Sequence, residues 1–197
     1  PLSDAQGREA VKQFADDRRS CGIDRHEEAQ LPRDDLAEEA IGPQPVAHGI
    51  AKAGQFDPVG THDADTAQLK ALIDDVVAKQ NIDPSRIYVV GASNGGYMTA
   101  RLGVDYPEYF AAVVPICPGV VYDGKTLLTD DELTVLRNVP TWIVQATTDD
   151  TLAFEDNGGH MADIVTNAIL TAYPDVTWNG VTYPPHWSWI YVANNDP

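Results

Sequence analysis

Cysteine is nearly absent from this sequence: Cys21 and Cys117 are the only two in 197 residues. Two thiols cannot build a disulfide framework, and these lack the paired spacing of a structural zinc site. Cys117 lies in an apolar stretch and reads as a small core residue. Whether it pairs with Cys21 stays open, and the redox compartment with it. Basic residues are scarce as well, 13 against 30 acidic ones, for a formal net charge of −17. Such a field repels phosphate-rich polymers and anionic lipid, which argues against nucleic acid and membrane as partners. It also suits a salty habitat, although a solvated acidic face is the plainer account. No apolar run approaches the roughly 18–20 residues that a membrane-spanning helix needs. No leader peptide is visible and no internal repeat is apparent. The chain begins Pro1-Leu2-Ser3 without methionine, as a processed or trimmed terminus would, so secretion stays open.

What is present is an ordinary globular composition, 43% hydrophobic and 22% charged, in a length that suits one domain over residues 1–197. Residues 1–63 are poorly defined and rich in helix and loop signals. Ser3 and Gln6 resemble a capping box before a short polar helix with Val11 and Phe14, residues 34–41 allow another turn or two, and prolines and glycines fill 42–60. The pattern sharpens over 64–197. Leu69, Leu72, Ile73 and Val76 recur at helical spacing to about Gln80, and Asp83-Pro84-Ser85 makes a turn. Ile87–Val90 is an almost wholly apolar strand, as expected where both faces of a parallel sheet are covered. A helix follows to about Tyr106-Pro107, then a strand over Phe110–Cys117. Thr129 and Glu132 form a capping box ahead of a short helix, and Thr141–Ala146 is a third strand. Met161–Tyr173 is helix-compatible, and Val176–Tyr183 holds a short last strand. Alternating helix and strand imply an α/β fold, a parallel sheet with helices on both faces and right-handed crossovers. Ligands of such sheets sit at the carboxyl ends of the strands.

The chemistry-bearing stretch is Gly91-Ala92-Ser93-Asn94-Gly95, between the Ile87–Val90 strand and a helix. A serine on that sharp turn projects its hydroxyl above the sheet, and its small neighbours let strand and helix approach. The backbone N–H of Asn94 points into the same space, where it would hold an oxyanion. A serine is a poor nucleophile unless an imidazole takes its proton, and the imidazole needs a carboxylate to fix its tautomer. Downstream, Asp149 and Asp150 follow the third strand, with Asp149 preferred for its place after a two-residue turn. His186 lies in Tyr183-Pro184-Pro185-His186-Trp187-Ser188-Trp189, where prolines stiffen the loop and aromatics exclude water. His160 follows Gly158-Gly159 at the start of a polar helix and is the weaker candidate; His26, His48 and His62 precede the serine. Tyr97, Trp142, Trp187 and Trp189 are candidate substrate surfaces. His62-Asp63-x-Asp65 reads as a polar helix start rather than a cation site.

Three segments carry a family resemblance: Ile82–Tyr88, Gly91–Tyr97 and Asp105–Ala112, with His186-Trp187-Ser188-Trp189-Ile190-Tyr191 as a fourth. They resemble the esterase and peptidase group of α/β-hydrolases, which includes prolyl-oligopeptidase-like hydrolases, polyhydroxybutyrate depolymerases and feruloyl esterases. The likeness covers residues 64–197. It implies Ser93 as nucleophile, Asp149 as acid, His186 as base, Asn94 as oxyanion donor, and Tyr97 and Trp187 at the substrate. No metal or organic cofactor is implied. The substrate would be a small-molecule or polymeric carboxylic ester; the alternatives are a serine peptidase acting on short peptides and a truncated hydrolase fold that only binds ligand. The family has strands and an oxyanion loop ahead of the nucleophile strand, of which Pro45-Val46-Ala47-His48-Gly49 is a faint echo. The sheet is therefore expected to be reduced on its amino-terminal side. A missing oxyanion donor would cost about 10²–10³ in rate. An exposed edge strand there could be covered by pairing into a homodimer.

Overall fold

The computed structural model describes residues 62–194, together with Glu9, Lys12 and Gln13, which are helical and exposed. The expectations for Ser3–Gln6, Val11, Phe14, 34–41, the 42–60 loop, Pro45–Gly49, Cys21, His26 and His48 lie outside those residues.

Helix α1, His62–Lys79, lays Leu69 and Ile73 against the main core. Val76 is not part of that face. It is 45% exposed, because the i, i+4 row from Leu69 through Ile73 continues at the half-buried Val77. Asp83 then closes a tight turn, its carboxylate accepting from the Ser85 N–H and hydroxyl and from Arg86 Nε. The chain enters β1, Tyr88–Ala92, and turns at one residue into α2, Asn94–Asp105. Strand β2, Ala112–Ile116, is buried throughout. The two-residue strands β3, Val121–Tyr122, and β4, Lys125–Thr126, make a hairpin whose turn, Asp123-Gly124, has positive φ at both positions. Helix α3, Asp130–Val135, starts at Thr129, and both halves of its capping box with Glu132 are formed.

Strand β5, Trp142–Ala146, leads through a loop to α4, Gly158–Ile164. The helix expected over Met161–Tyr173 stops there: Ile169–Tyr173 is strand β6, parallel to β5. Ile169, Thr171 and Tyr173 alternate along a strand, so β-branched and aromatic side chains win over the helical reading of the run. Strands β7, Thr177–Trp178, and β8, Val181–Thr182, form a second hairpin around Asn179-Gly180, and α5, Trp189–Ala193, ends the described chain.

The four long strands form one parallel sheet in the order β1-β2-β5-β6. Strands added in one direction with right-handed crossovers put their linking helices on one face. Consistent with this, Leu102, Leu133, Leu136 and Met161 meet Val113 and Ile143 in one cluster. On the other face Val114 and Val144 meet Val192 of α5. This is an α/β fold with helices on both faces, and among the described residues no strand precedes β1. The two faces of β1 are not equally covered, however. Val90 shares a face with Tyr88 and Ala92 and is 48% exposed, since α5 packs over the centre of the sheet and leaves that edge uncovered among the described residues.

Candidate active site

The turn between β1 and α2 is a single residue. Ser93 has φ +58° and ψ −117°, a conformation that costs a non-glycine residue about 1–3 kcal/mol. Two backbone hydrogen bonds hold it: its N–H donates to Ile116 O at 3.0 Å, and its carbonyl accepts from the Tyr97 N–H at 3.0 Å. The room is made by Gly91 and Gly96. A Cβ on Gly91 would strike the Gly95 carbonyl and stand 2.9 Å from Thr99 Oγ1; one on Gly96 would strike the Ile116 carbonyl and stand 3.0 Å from Pro118 Cα. Gly95, the glycine two residues after the serine, faces open space among the described residues. The close packing thus falls on Gly91, the first glycine of the motif, and on Gly96, one residue beyond its second.

Asp149 follows β5 and His186 sits in a short 3-10 turn, Pro185–Trp187, before α5. The His186 ring spans the gap between acid and serine: Nδ1 lies 2.9 Å from Asp149 Oδ2 and 3.1 Å from Oδ1, and Nε2 lies 2.9 Å from Ser93 Oγ. An ionised carboxylate only accepts, so Nδ1 carries the proton in the neutral ring and Nε2 accepts from the Ser93 hydroxyl. Asp149 is itself held. Oδ1 accepts from the Thr151 and Leu152 N–H groups at 3.0 Å each, and Oδ2 accepts from Gln145 Nε2 at 3.1 Å. Burial pushes its pKa up, but the bond from His186 and the two backbone donors outweigh burial and hold it below the ordinary carboxylate value. The His186 pKa is raised, chiefly by the Asp149 hydrogen bond and next by Cys117, against the opposing effect of burial.

The other sequence candidates are dispersed. Asp150 is exposed, and among the described residues its carboxylate accepts from the Thr151 hydroxyl and does not reach His186. His160 pairs with Asp130 at 2.8 Å on the outside of α4. Asn94 is exposed at the head of α2, where helix geometry leaves its N–H without an intrahelical acceptor. Tyr97 is 8% exposed and belongs to the main core, so it is not an open substrate surface. Trp187 is 42% exposed, tilted against Trp189 and stacked with Tyr183. Trp189 sets its ring at 89° to His186, 5.7 Å away. Trp142 is half-buried, its indole N–H donating to Thr171.

Two residues at the site were not singled out by sequence reasoning. Gln145 is fully buried; besides Asp149 it donates to Leu152 O at 2.7 Å and accepts from the Gly158 N–H at 2.8 Å. Its signal was a polar side chain inside the apolar strand Trp142–Ala146. Cys117, expected to be a core residue, is in the core, but it also brings its sulfur near the hydrogen-bonded His186–Asp149 pair: ligand atoms of Cys117, Asp149 and His186 lie within 4.8 Å of one another. A thiophilic cation could use that set only by displacing the His186–Asp149 bond. A depression of about 290 Å³ beside the Asp149 loop is lined by Tyr122, Thr151, Leu152 and Asn157, and includes neither Ser93 nor His186.

A parallel sheet carrying a strained serine after one strand, with acid and imidazole beyond later strands, is the build of an α/β-hydrolase. Residues 59–158 match the model of the prolyl oligopeptidase family, and the chain belongs to that family. It is 43% identical over 51 residues to poly(3-hydroxyalkanoate) depolymerase C of Paucimonas lemoignei, covering 26% of this chain and 12% of that one. It is 40% identical over 74 residues to feruloyl esterase B of Neurospora crassa, covering 36% of this chain and 23% of that one. Among solved structures it is similar to a thermostable esterase, with TM-score 0.57, 28% identity and coverage of 66% of this chain and 34% of that one. The chain therefore spans a quarter or less of these two curated relatives and about a third of the solved esterase.

Proposed function

We propose that this chain is a serine hydrolase that cleaves carboxylic esters through Ser93, His186 and Asp149. The observation that carries the reading is the 2.9 Å separation of His186 Nε2 and Ser93 Oγ, with Nδ1 held by a buried carboxylate. Ser93 Oγ attacks the ester carbonyl carbon as its proton passes to Nε2, and Asp149 stabilises the imidazolium. The oxyanion forms toward the Asn94 N–H and the positive end of α2. Collapse breaks the acyl–alkoxy bond, and the leaving alkoxide takes the proton from Nε2. Water then gives a proton to Nε2 and attacks the acyl carbon; Ser93 departs and is reprotonated.

Bulky or polymeric esters, such as hydroxyalkanoate polyesters or feruloyl esters, are the favoured substrates within this reading. The exposed Trp187 next to the catalytic imidazole offers a flat surface to an aromatic or extended chain, and the names of two relatives point the same way. Family membership keeps a peptidase as the second reading. Turnover of p-nitrophenyl butyrate, methyl ferulate and 3-hydroxybutyrate oligomers is compared with that of prolyl p-nitroanilides. Ester turnover exceeding anilide turnover by at least a hundredfold is expected, with Trp187→Ala raising KM for methyl ferulate more than for p-nitrophenyl butyrate. Preferential anilide cleavage supports the peptidase, and a folded chain inert to all four is a hydrolase-fold binding protein.

A further inference from the structure

Four non-glycine residues among those described have positive φ: Ser93, Cys117, Asp123 and Asn179. Asp123 and Asn179 are hairpin-turn residues, and Ser93 is the elbow. Cys117, at φ +36°, is in neither class. It follows directly on β2, is fully buried, and its N–H donates to Val144 O at 2.7 Å on the neighbouring strand. The residue before it, Ile116, offers the carbonyl that accepts the Ser93 N–H. A left-handed backbone favours glycine, yet a side chain stands there, with its sulfur gathered against the imidazole and the carboxylate within 4.8 Å. Sulfur is large, polarisable and a weak hydrogen-bond acceptor, so it can face the ring's polar edge without displacing Asp149 or Ser93 from the ring nitrogens.

We propose that Cys117 is a positioning residue for His186: its buried thiol is a third fixed contact of the imidazole, beside Asp149 and Ser93, and it stabilises the ring in its protonated form during turnover. This rests on the reading of His186 as the general base. Among the described residues, Asp149 and Cys117 are titratable groups set beside the ring, and Ser93 and Trp189, which also flank it, carry no charge. The raised His186 pKa, to which Cys117 contributes after Asp149, agrees with this contact. The role explains why a strained position holds neither the glycine its backbone prefers nor the larger aliphatic residues of the surrounding cluster, Val114, Val144 and Val192.

The test compares wild type with Cys117→Ala, Cys117→Gly and Cys117→Ser, each checked for folding by thermal melt. The pH profile of kcat/KM is measured on p-nitrophenyl acetate, and the His186 imidazole is titrated by NMR. Losing a contact that favours the imidazolium tenfold lowers the ring's apparent pKa by about one unit. In Cys117→Ala the acid limb is thus expected to move down by about one unit and the plateau to fall about tenfold, with KM within twofold. Cys117→Gly suits the backbone and is expected to show the same displacement, so a poorly folding alanine variant does not end the test. Cys117→Ser restores more than half of both effects. A folded Cys117→Ala or Cys117→Gly whose limb and plateau stay within 0.2 units and twofold of wild type overturns the proposal, whatever its melting temperature. A serine variant no nearer to wild type than alanine overturns it as well. If wild type hydrolyses no ester, the function reading falls by itself, and the NMR titration still decides whether the thiol sets the ring's pKa.

Discussion

Asp149 has a neighbour, Asp150, that composition and spacing make almost its equal; what separates them is a turn. Oδ1 of Asp149 closes onto the Thr151 and Leu152 N–H groups, which aims the carboxylate back at His186 and leaves Asp150 in solvent. Asp149→Asn is expected to lower kcat about 10⁴-fold, because an amide can present its N–H to Nδ1 and stabilise the wrong tautomer, while Asp150→Asn stays within about threefold. Steady-state kinetics on p-nitrophenyl butyrate separate the two, and equal losses would contradict the assignment. The base must be neutral to accept the serine proton. Since the His186 pKa is raised, the acid limb of kcat/KM is expected above the ordinary histidine value of 6.5, and it moves down when Asp149 is neutralised. Gln145 is the residue that holds this geometry from behind. Gln145→Leu leaves Leu152 O and the Gly158 N–H without that partner and takes one donor from Asp149. Chemical denaturation is expected to show a loss of about 2–4 kcal/mol, together with at least a fivefold fall in kcat.

At the scale of elements, the elbow depends on how closely α2 approaches β1 and β2, and two adjacent glycines divide that task unequally. Gly96→Ala sets a methyl against the Ile116 carbonyl, the same carbonyl that holds the Ser93 N–H, and is expected to cost about 1–3 kcal/mol. Gly95→Ala points into open space in the first turn of a helix and is expected to be neutral or to stabilise by up to about 1 kcal/mol. Thermal melts of both variants check the ordering; a larger loss at Gly95 would contradict it. The same elements mark what the sequence made legible. Apolar runs ended by glycine or proline located β1 and β2, the apolar run between Pro140 and the polar Thr147-Thr148-Asp149 located β5, and the Thr129 box located α3. Strand β6 was missed because Met161, Val165 and Ala168 continue a helical spacing into Ile169, and only pairing with β5 decides for the strand. The exposure of Val90 was equally hidden, since a strand's composition does not say how far the covering helix extends. The three side chains that the fold brings together, Ser93, Asp149 and His186, were legible in that order along the sequence. Their surroundings were not: Gln145 reaches Asp149, Leu152 and Gly158, and Cys117 lies within 4.8 Å of Asp149 and His186, through folded proximity that no linear spacing reveals.

For the molecule as a whole, the His186–Asp149 pair links folding to pH in both directions. Asp149 has a lowered pKa, so its stabilisation is present above the ordinary 3.8 and is lost as pH falls through the folded value. His186 has a raised pKa, so its contribution is full below 6.5 and is lost as pH rises through the folded value. The pair thus stabilises the fold most between those limits, on the acid side of the range in which the proposed mechanism needs a neutral His186. Both halves of the account depend on one claim, that Ser93 is activated by His186 in the folded chain. Fluorophosphonate labelling read by intact mass and peptide mapping tests it most directly. The account predicts one adduct per chain, on Ser93, absent in Ser93→Ala and slowed at least a hundredfold in His186→Ala. A folded wild type that remains unlabelled, or an adduct on any residue other than Ser93, would contradict it.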